Sequence, residues 1–195
     1  GSSTTTTTAT DTTTTTTTTT VATDNAPVAL TAGPDVIAGD SNNDTFNALV
    51  NGHLEAGDNI TGGAGADKLV IRDYDASAGT FTMSGVETID INFATTAMTL
   101  DLEDVTGVTS LIVDSGVADN TIANVAASTS LTLSNIASGV TNIDVTFVDG
   151  AFDPAANSYS LTLDDVDDAL TLSLDSFGTD VEAIDTLNIN TGSND

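Results

Sequence analysis

The chain has 195 residues, a length suited to one domain or to one domain with a tail. It carries 29 acidic residues, 25 of them Asp, against only Lys68 and Arg72, for a formal net charge of −27; such a chain has no means of neutralising nucleic-acid phosphates or anionic membrane headgroups. Cysteine is absent and His53 is the single histidine, which excludes disulfide staples, thiolate metal sites and multi-histidine zinc clusters.

Residues 1–30 form a Thr-rich low-complexity extension, with Thr4 to Thr8 and then Thr12 to Thr20 unbroken. Threonine is β-branched and favours extended backbone, but a run of it has no apolar face of its own. Two readings stand side by side: a disordered or O-glycosylated stalk, and an extended strand that docks on another subunit. A homopolymeric strand has no means of fixing its own register, so the second reading requires a neighbouring surface that does. Gly1 stands first, which reads as a processed or excised chain.

Residues 31–75 make up a Gly- and Asp-rich turn region. Gly62-Gly63-Ala64-Gly65-Ala66-Asp67-Lys68-Leu69-Val70 fits the nonapeptide G-G-x-G-x-D-x-U-x at every specified position. In that pattern the glycines allow a tight left-handed turn whose carbonyls face a cation. The Asp adds a carboxylate oxygen, and the following aliphatic residue drops into a short strand. Asp58-Asn59-Ile60 repeats the Asp-x-aliphatic phrase nine residues upstream, and Asp35-Val36-Ile37 and Asp44-Thr45-Phe46 form an earlier pair at the same spacing. The expected ligand for these oxygens is Ca2+, which takes six to eight of them in flexible geometry. Asp58 and Asp67, with Gly63 and Gly65, are assigned to one site, and Asp35, Asp40 and Asp44 to another. Ordinary Asp-Gly turns between strands are the plain alternative. Asp73 and Asp75 either complete the coordination or flank a loop.

From residue 76 to 195 the sequence reads as a repetitive β domain. Leu100-Asp-Leu102, Leu131-Thr-Leu133, Leu161-Thr-Leu163 and Leu170-Thr-Leu172-Ser-Leu174 place apolar residues at every second position, the pattern of strands with one buried face. No segment holds a helical period. The phrase Leu-x-Leu-x-Asp/Asn-Val/Ile starts at 100, 131 and 161, a step of about thirty residues that points to a solenoid. Gly85-Val-Glu-Thr-Ile-Asp is echoed by Asp180-Val-Glu-Ala-Ile-Asp. Asp164-Asp165-x-Asp167-Asp168, the densest acidic run, reads first as a solvated loop and second as a further calcium site. The fold class is therefore all-β, of β-roll or β-solenoid type, with short strands and Gly-Asp turns behind an extended Thr-rich segment.

The nonapeptide and its flanking Asp phrases resemble those of the calcium-binding nonapeptide-repeat (RTX-like) proteins exported by type I secretion. Within that group the Gly-Asp turns, the phrase at Gly85 and the Thr- and Asp-rich strands are most similar to bacterial surface-layer proteins. The resemblance implies calcium-dependent folding and assembly on the cell exterior, and a chelator that loosens residues 33–75 first. The poly-Thr start and the short nonapeptide array depart from the family pattern.

An enzyme is not expected. His53 has no Ser or Cys motif to serve, Asp pairs are too frequent to signal a glycosidase dyad, and the two bases lie in or beside the calcium turn. The reading is an extracellular structural protein, a calcium-stabilised subunit of a self-assembling cell-surface layer or filament. Its partners are copies of itself and cell-surface polysaccharide, without nucleic acid or membrane insertion. The alternative is a calcium-binding module of a larger secreted adhesin or carbohydrate-active enzyme.

Overall fold

A computed structural model of the chain describes residues 4–9, 16–21, 26–74, 80–93, 98–114, 119–137, 140, 142–152, 157–166, 170–176 and 184–192. Every regular element among them is a strand, and none of them forms a helix able to cross a membrane. The chain divides into two compact units, Gly1–Asp90 with Asp104–Val108, and Ile91–Glu103 with Thr109–Asp195.

The first unit holds β1 (Thr4–Ala9), β2 (Thr16–Val21), β3 (Val28–Ala29), β4 (Asp35–Ala38), β5 (Thr45–Ala48), β6 (Asn59–Thr61), β7 (Lys68–Tyr74), β8 (Thr82–Ser84), the start of β9 (Thr88–Phe93), and β11 (Val105–Thr106). Successive strands alternate between two sheets. One has the order β1-β2-β4-β6-β8-β11, and the other runs β3-β5-β7-β9. From β4 through β6 to β8, and from β5 to β7, parallel neighbours lie 23 residues apart: Ile37 pairs with Ile60, Phe46 with Leu69 and Ala48 with Ile71. The offsets are shorter at the margins, 17 between Thr18 and Asp35, 18 between Val28 and Phe46 and 22 between Met83 and Val105. One circuit in the middle of this unit is thus 23 residues, and like side chains stack in rows. Ile37, Ile60 and Met83 form one buried row, and Phe46 and Leu69 another. Each fully buried aliphatic or Phe side chain contributes about 1.5–3 kcal/mol. The alternation seen in the sequence is the in-and-out alternation of these strands, as in the intermediate-buried-intermediate-buried pattern of β5.

The two Thr tracts are both strands. β1 and β2 pair antiparallel from Thr4 opposite Val21 to Ala9 opposite Thr16, and β2 runs parallel to β4 with Thr18 opposite Asp35. An edge of the same chain, β4, gives the Thr strand β2 a defined register. A strand already beside β4 in sequence meets that edge at far lower entropic cost than a separate molecule does.

The second unit holds β10 (Thr99–Asp101), β12 (Ser110–Asp114), β13 (Asn120–Val125), β14 (Ser130–Ile136), β15 (Asn142–Phe147), β16 (Ser158–Val166), β17 (Thr171–Ser176) and β18 (Thr186–Thr191). β10-β13-β15-β17 form one sheet, and β12-β14-β16-β18 follow one another in the other. The phrases at Leu100 and Leu131 prove not to be equivalent. Leu100 pairs with Ile122 in the first of these sheets, whereas Leu131 pairs with Leu111 and Leu161 in the second. The same alternation serves a strand in either sheet, so it does not reveal which sheet the strand enters. Circuit length also varies, since Leu131 lies 20 residues from Leu111 and 30 from Leu161. Phe147, Phe152 and Tyr159 pack edge-to-face in the core of this unit, with centroids 4.7 to 6.2 Å apart.

Candidate metal centre

The turn Gly39–Asp44 joins β4 to β5, and the turn Gly62–Asp67 joins β6 to β7 one circuit later. Ala64 N donates to the Asp40 carbonyl at 3.0 Å and Ala66 N to Asn43 Oδ1 at 2.9 Å, so the second turn lies directly on the first. This stacking explains the glycines of the nonapeptide. A Cβ on Gly63 would lie 2.2 Å from the Asp40 carbonyl oxygen, and one on Gly65 would lie 2.4 Å from that of Asn42. Both also have left-handed backbone, with φ of 106° and 132°. Their role here is close approach of one turn to the next.

The four Asp residues at the strand starts are each only 1 % exposed, and their oxygens face backbone amides. Asp35 accepts from Thr31 N at 2.7 Å and Thr31 Oγ1 at 2.9 Å. Asp58 accepts from Asp35 N and from Glu55 N, both at 2.8 Å. Asp44 accepts from Asp40 N at 2.8 Å, and Asp67 from Asp44 N at 2.7 Å. Each carboxylate thus caps an amide of its own turn, of the turn one circuit earlier, or of both. The next turn, Gly85–Glu87, is three residues shorter, and the longer Glu87 reaches the Asp67 amide at 2.8 Å.

The structure therefore regroups the residues assigned to metal. Asp35 and Asp58 share one column, and Asp40, Asp44 and Asp67 share another, because the unit of stacking is the 23-residue circuit rather than the nine-residue spacing. Asp58 stands immediately before β6 and Asp67 immediately before β7, with Gly63 and Gly65 in the turn of Asp67 and not in that of Asp58. Among the described residues, no group of three or more His, Cys, Asp or Glu side chains is placed to hold a metal. One oxygen each of Asp44 and Asp67 has no hydrogen-bond partner, but both atoms are sealed from solvent, and Asp67 Oδ2 lies 2.5 Å from where a Gly62 Cβ would stand. The carboxylate oxygens of Asp44, Asp58 and Asp67 that do have partners are turned to backbone amides of their own turn or of the turn before it.

Burial raises Asp58 to about 6 against the amide bonds from Glu55 and Asp35 that favour its charge, and the nearby Asp35 and Glu55 charges raise it further. Burial likewise raises Asp67. The opposite case is Asp90, which receives both bases of the chain. Lys68 Nζ lies 2.6 Å from Asp90 Oδ2 and Arg72 Nη1 2.8 Å from Asp90 Oδ1. Burial works against the charge of Asp90, but the hydrogen bonds and charges of Arg72 and Lys68 prevail and hold it below the ordinary carboxylate range. Arg72 also donates to the Ile71 and Asp90 carbonyls.

His53 Nδ1 lies 2.9 Å from the Leu30 carbonyl oxygen, again 23 residues away. Asp75, Asp167, Asp168 and the phrase from Asp180 to Ala183 lie outside the described residues, as does the side chain of Asp73. Asp165 has φ of 58° and stands level with Asn135, whose φ is 52°. Two Asn-Asp links went unread in the sequence: Asn124 Nδ2 donates to Asp101 at 2.7 Å, and Asn135 Nδ2 to Asp114 at 2.8 Å. A comparison of the sequence with itself at a 23-residue offset shows Gly39/Gly62/Gly85, Asp35/Asp58, Asp44/Asp67 and Asp101/Asn124 in line. Comparison with protein-family models, with characterised proteins and with solved structures returned no match.

Proposed function

We propose that this chain is an extracellular structural protein, a β-solenoid subunit that assembles with copies of itself into a surface layer or filament and contacts cell-surface polysaccharide there. The use of charge carries this reading. Buried carboxylates of Asp35, Asp44, Asp58 and Asp67 hold backbone amides, and both bases are drawn to Asp90. The chemistry-bearing residues thus hold strands in place. Divalent cations enter as screening counter-ions of a chain at −27, where self-repulsion opposes close association. Negative-stain microscopy of concentrated protein, with and without calcium, tests the proposal. Ordered sheets or fibres are expected with calcium. Dispersed particles under both conditions would overturn it and favour a soluble module of a secreted adhesin or carbohydrate-active enzyme.

A further inference from the structure

Proteins that remain monomeric blunt their sheet edges with short strands, charges or proline. Most edges among the described strands follow this rule. β3 and β11 have two residues each, β10 has three and carries Asp101, and β17 carries Asp175. Two edges do not. β1 (TTTTTA) and β18 (TLNINT) are six residues long and contain neither charge nor proline, in a chain of 29 acids.

Of these two, β18 also exposes apolar side chains. It runs parallel to β16, with Leu187 opposite Tyr159 and Ile189 opposite Leu161. Tyr159 and Leu161 are buried, yet Leu187 is 42 % and Ile189 57 % exposed, and all six residues of the strand are open to solvent. The buried rows of this unit thus continue onto β18 as exposed Leu187 and Ile189. The peptide groups are placed for continuation as well. Thr186 N donates to the Asn157 carbonyl at 3.1 Å and Gly192 N to the Leu163 carbonyl at 2.7 Å, so even-numbered residues turn their peptide groups towards β16. Strand alternation then leaves those of Leu187, Ile189 and Thr191 facing the open edge.

We propose that β18 is a self-association edge that pairs antiparallel with β18 of a second copy, in the register centred on Asn188. In this register Leu187 stands opposite Ile189 of the second copy, and the two residues exchange both peptide hydrogen bonds. Their apolar side chains share one face, and Asn188 meets Asn188 on the other. No charged residue of either strand enters the contact, which matters for two polyanions screened over only about 8 Å at physiological salt. β1 offers an approaching strand no comparable apolar row, since five of its six residues are Thr. The contact is isologous and small, so it links copies in pairs and is reversible on its own. The inference rests on the self-assembly reading and supplies one of its contacts.

Because the chain has no cysteine, a single introduced thiol reports the register. In the proposed pairing Asn188 faces its own counterpart in a non-hydrogen-bonded pair, with Cα atoms about 4.5 Å apart, within disulfide range. The full chain carrying Asn188→Cys is expected to form a disulfide-linked dimer under mild oxidation. The Thr186→Cys chain is expected to give at least tenfold less, its counterparts being displaced along the strand by about 13 Å. Adding Ile189→Lys to Asn188→Cys is expected to lower the yield at least tenfold, with an unchanged circular dichroism spectrum. Absence of dimer, equal yields from the two cysteine positions, or indifference to Ile189→Lys overturns the proposal. A Thr6→Cys chain that cross-links instead assigns association to β1 and overturns it too. Ordered assemblies in negative stain without the Asn188→Cys cross-link would discard this contact and leave the self-assembly reading standing.

Discussion

The backbone amide of Asp44 donates to the carboxylate of Asp67 at 2.7 Å, although 23 residues of chain separate them. Asp35 and Asp58 repeat the relationship at the starts of β4 and β6 in the other sheet, at 2.8 Å. A negatively charged oxygen facing an amide makes a charge-assisted bond, stronger than a neutral one, and here the bond ties each circuit to the next.

Asp58→Ala is expected to destabilise the first unit by about 2–4 kcal/mol, because the buried amides of Asp35 and Glu55 lose their shared acceptor. Asp101→Ala removes an acceptor for Asn124 Nδ2 and Glu103 N at a more open position and is expected to cost under about 1.5 kcal/mol. Denaturant unfolding of the two variants decides the matter. Equal losses would show that the Asp58 carboxylate does not hold the circuits together.

Glycine substitutions separate close approach from backbone preference. Gly63→Ala would force a Cβ against the Asp40 carbonyl at 2.2 Å and should prevent the two turns from stacking, a loss above about 3 kcal/mol. Gly52→Ala has a similar positive φ of 77° but meets nothing within 4 Å, and should cost about 1–2 kcal/mol. Thermal melts of the two variants would give the difference.

The pH response follows from two shifts of opposite sign. Asp58 has a folded value of about 6, above its unfolded value of 3.8. The folded state therefore binds this proton more tightly, and the contribution is complete below pH 3.8 and lost as pH rises through about 6. Asp90 is lowered, so its contribution is present above 3.8 and lost as pH falls through its folded value. The first unit is expected to gain stability from pH 7 towards pH 5 and to lose the Asp90 contribution below pH 3.8. A carboxyl 13C titration of Asp58 with its midpoint near 4 would refute the first half.

Arg72→Lys keeps the charge but displaces the single nitrogen, Nη1, that meets the Asp90 carboxylate and the Ile71 and Asp90 carbonyls. It is expected to cost about 1 kcal/mol, nearly as much as Arg72→Ala. Full retention of stability in Arg72→Lys, measured by denaturant unfolding, would mean that charge alone matters at this position.

Chelation gives the sharpest contrast with the nonapeptide pattern, which predicts that residues 33–75 loosen first when calcium is removed. With amides already capped by carboxylates, the exchange protection of Asp35, Asp44 and Asp67 is expected to survive chelator. Loss of protection at these three amides would restore calcium to the turns.

The sequence alone determined the all-β class, because alternation such as Leu131-Thr-Leu133 is a local property of strands with one buried face. It also marked Asp35, Asp44, Asp58 and Asp67, since each stands two residues before an apolar one, Ile37, Phe46, Ile60 or Leu69, in a repeated phrase. Only the tertiary structure shows which backbone amides those acids meet. A carboxylate oxygen suits a calcium ion and an amide hydrogen equally well, and the choice depends on which backbone lies one circuit away. Spacing of nine is visible along the chain, whereas spacing of 23 gains meaning only when the chain closes a circuit and Asp67 comes to rest beside Asp44. The homopolymeric β2 makes the same point from the other side: no feature of a Thr run selects a partner, and its register came from the edge of β4.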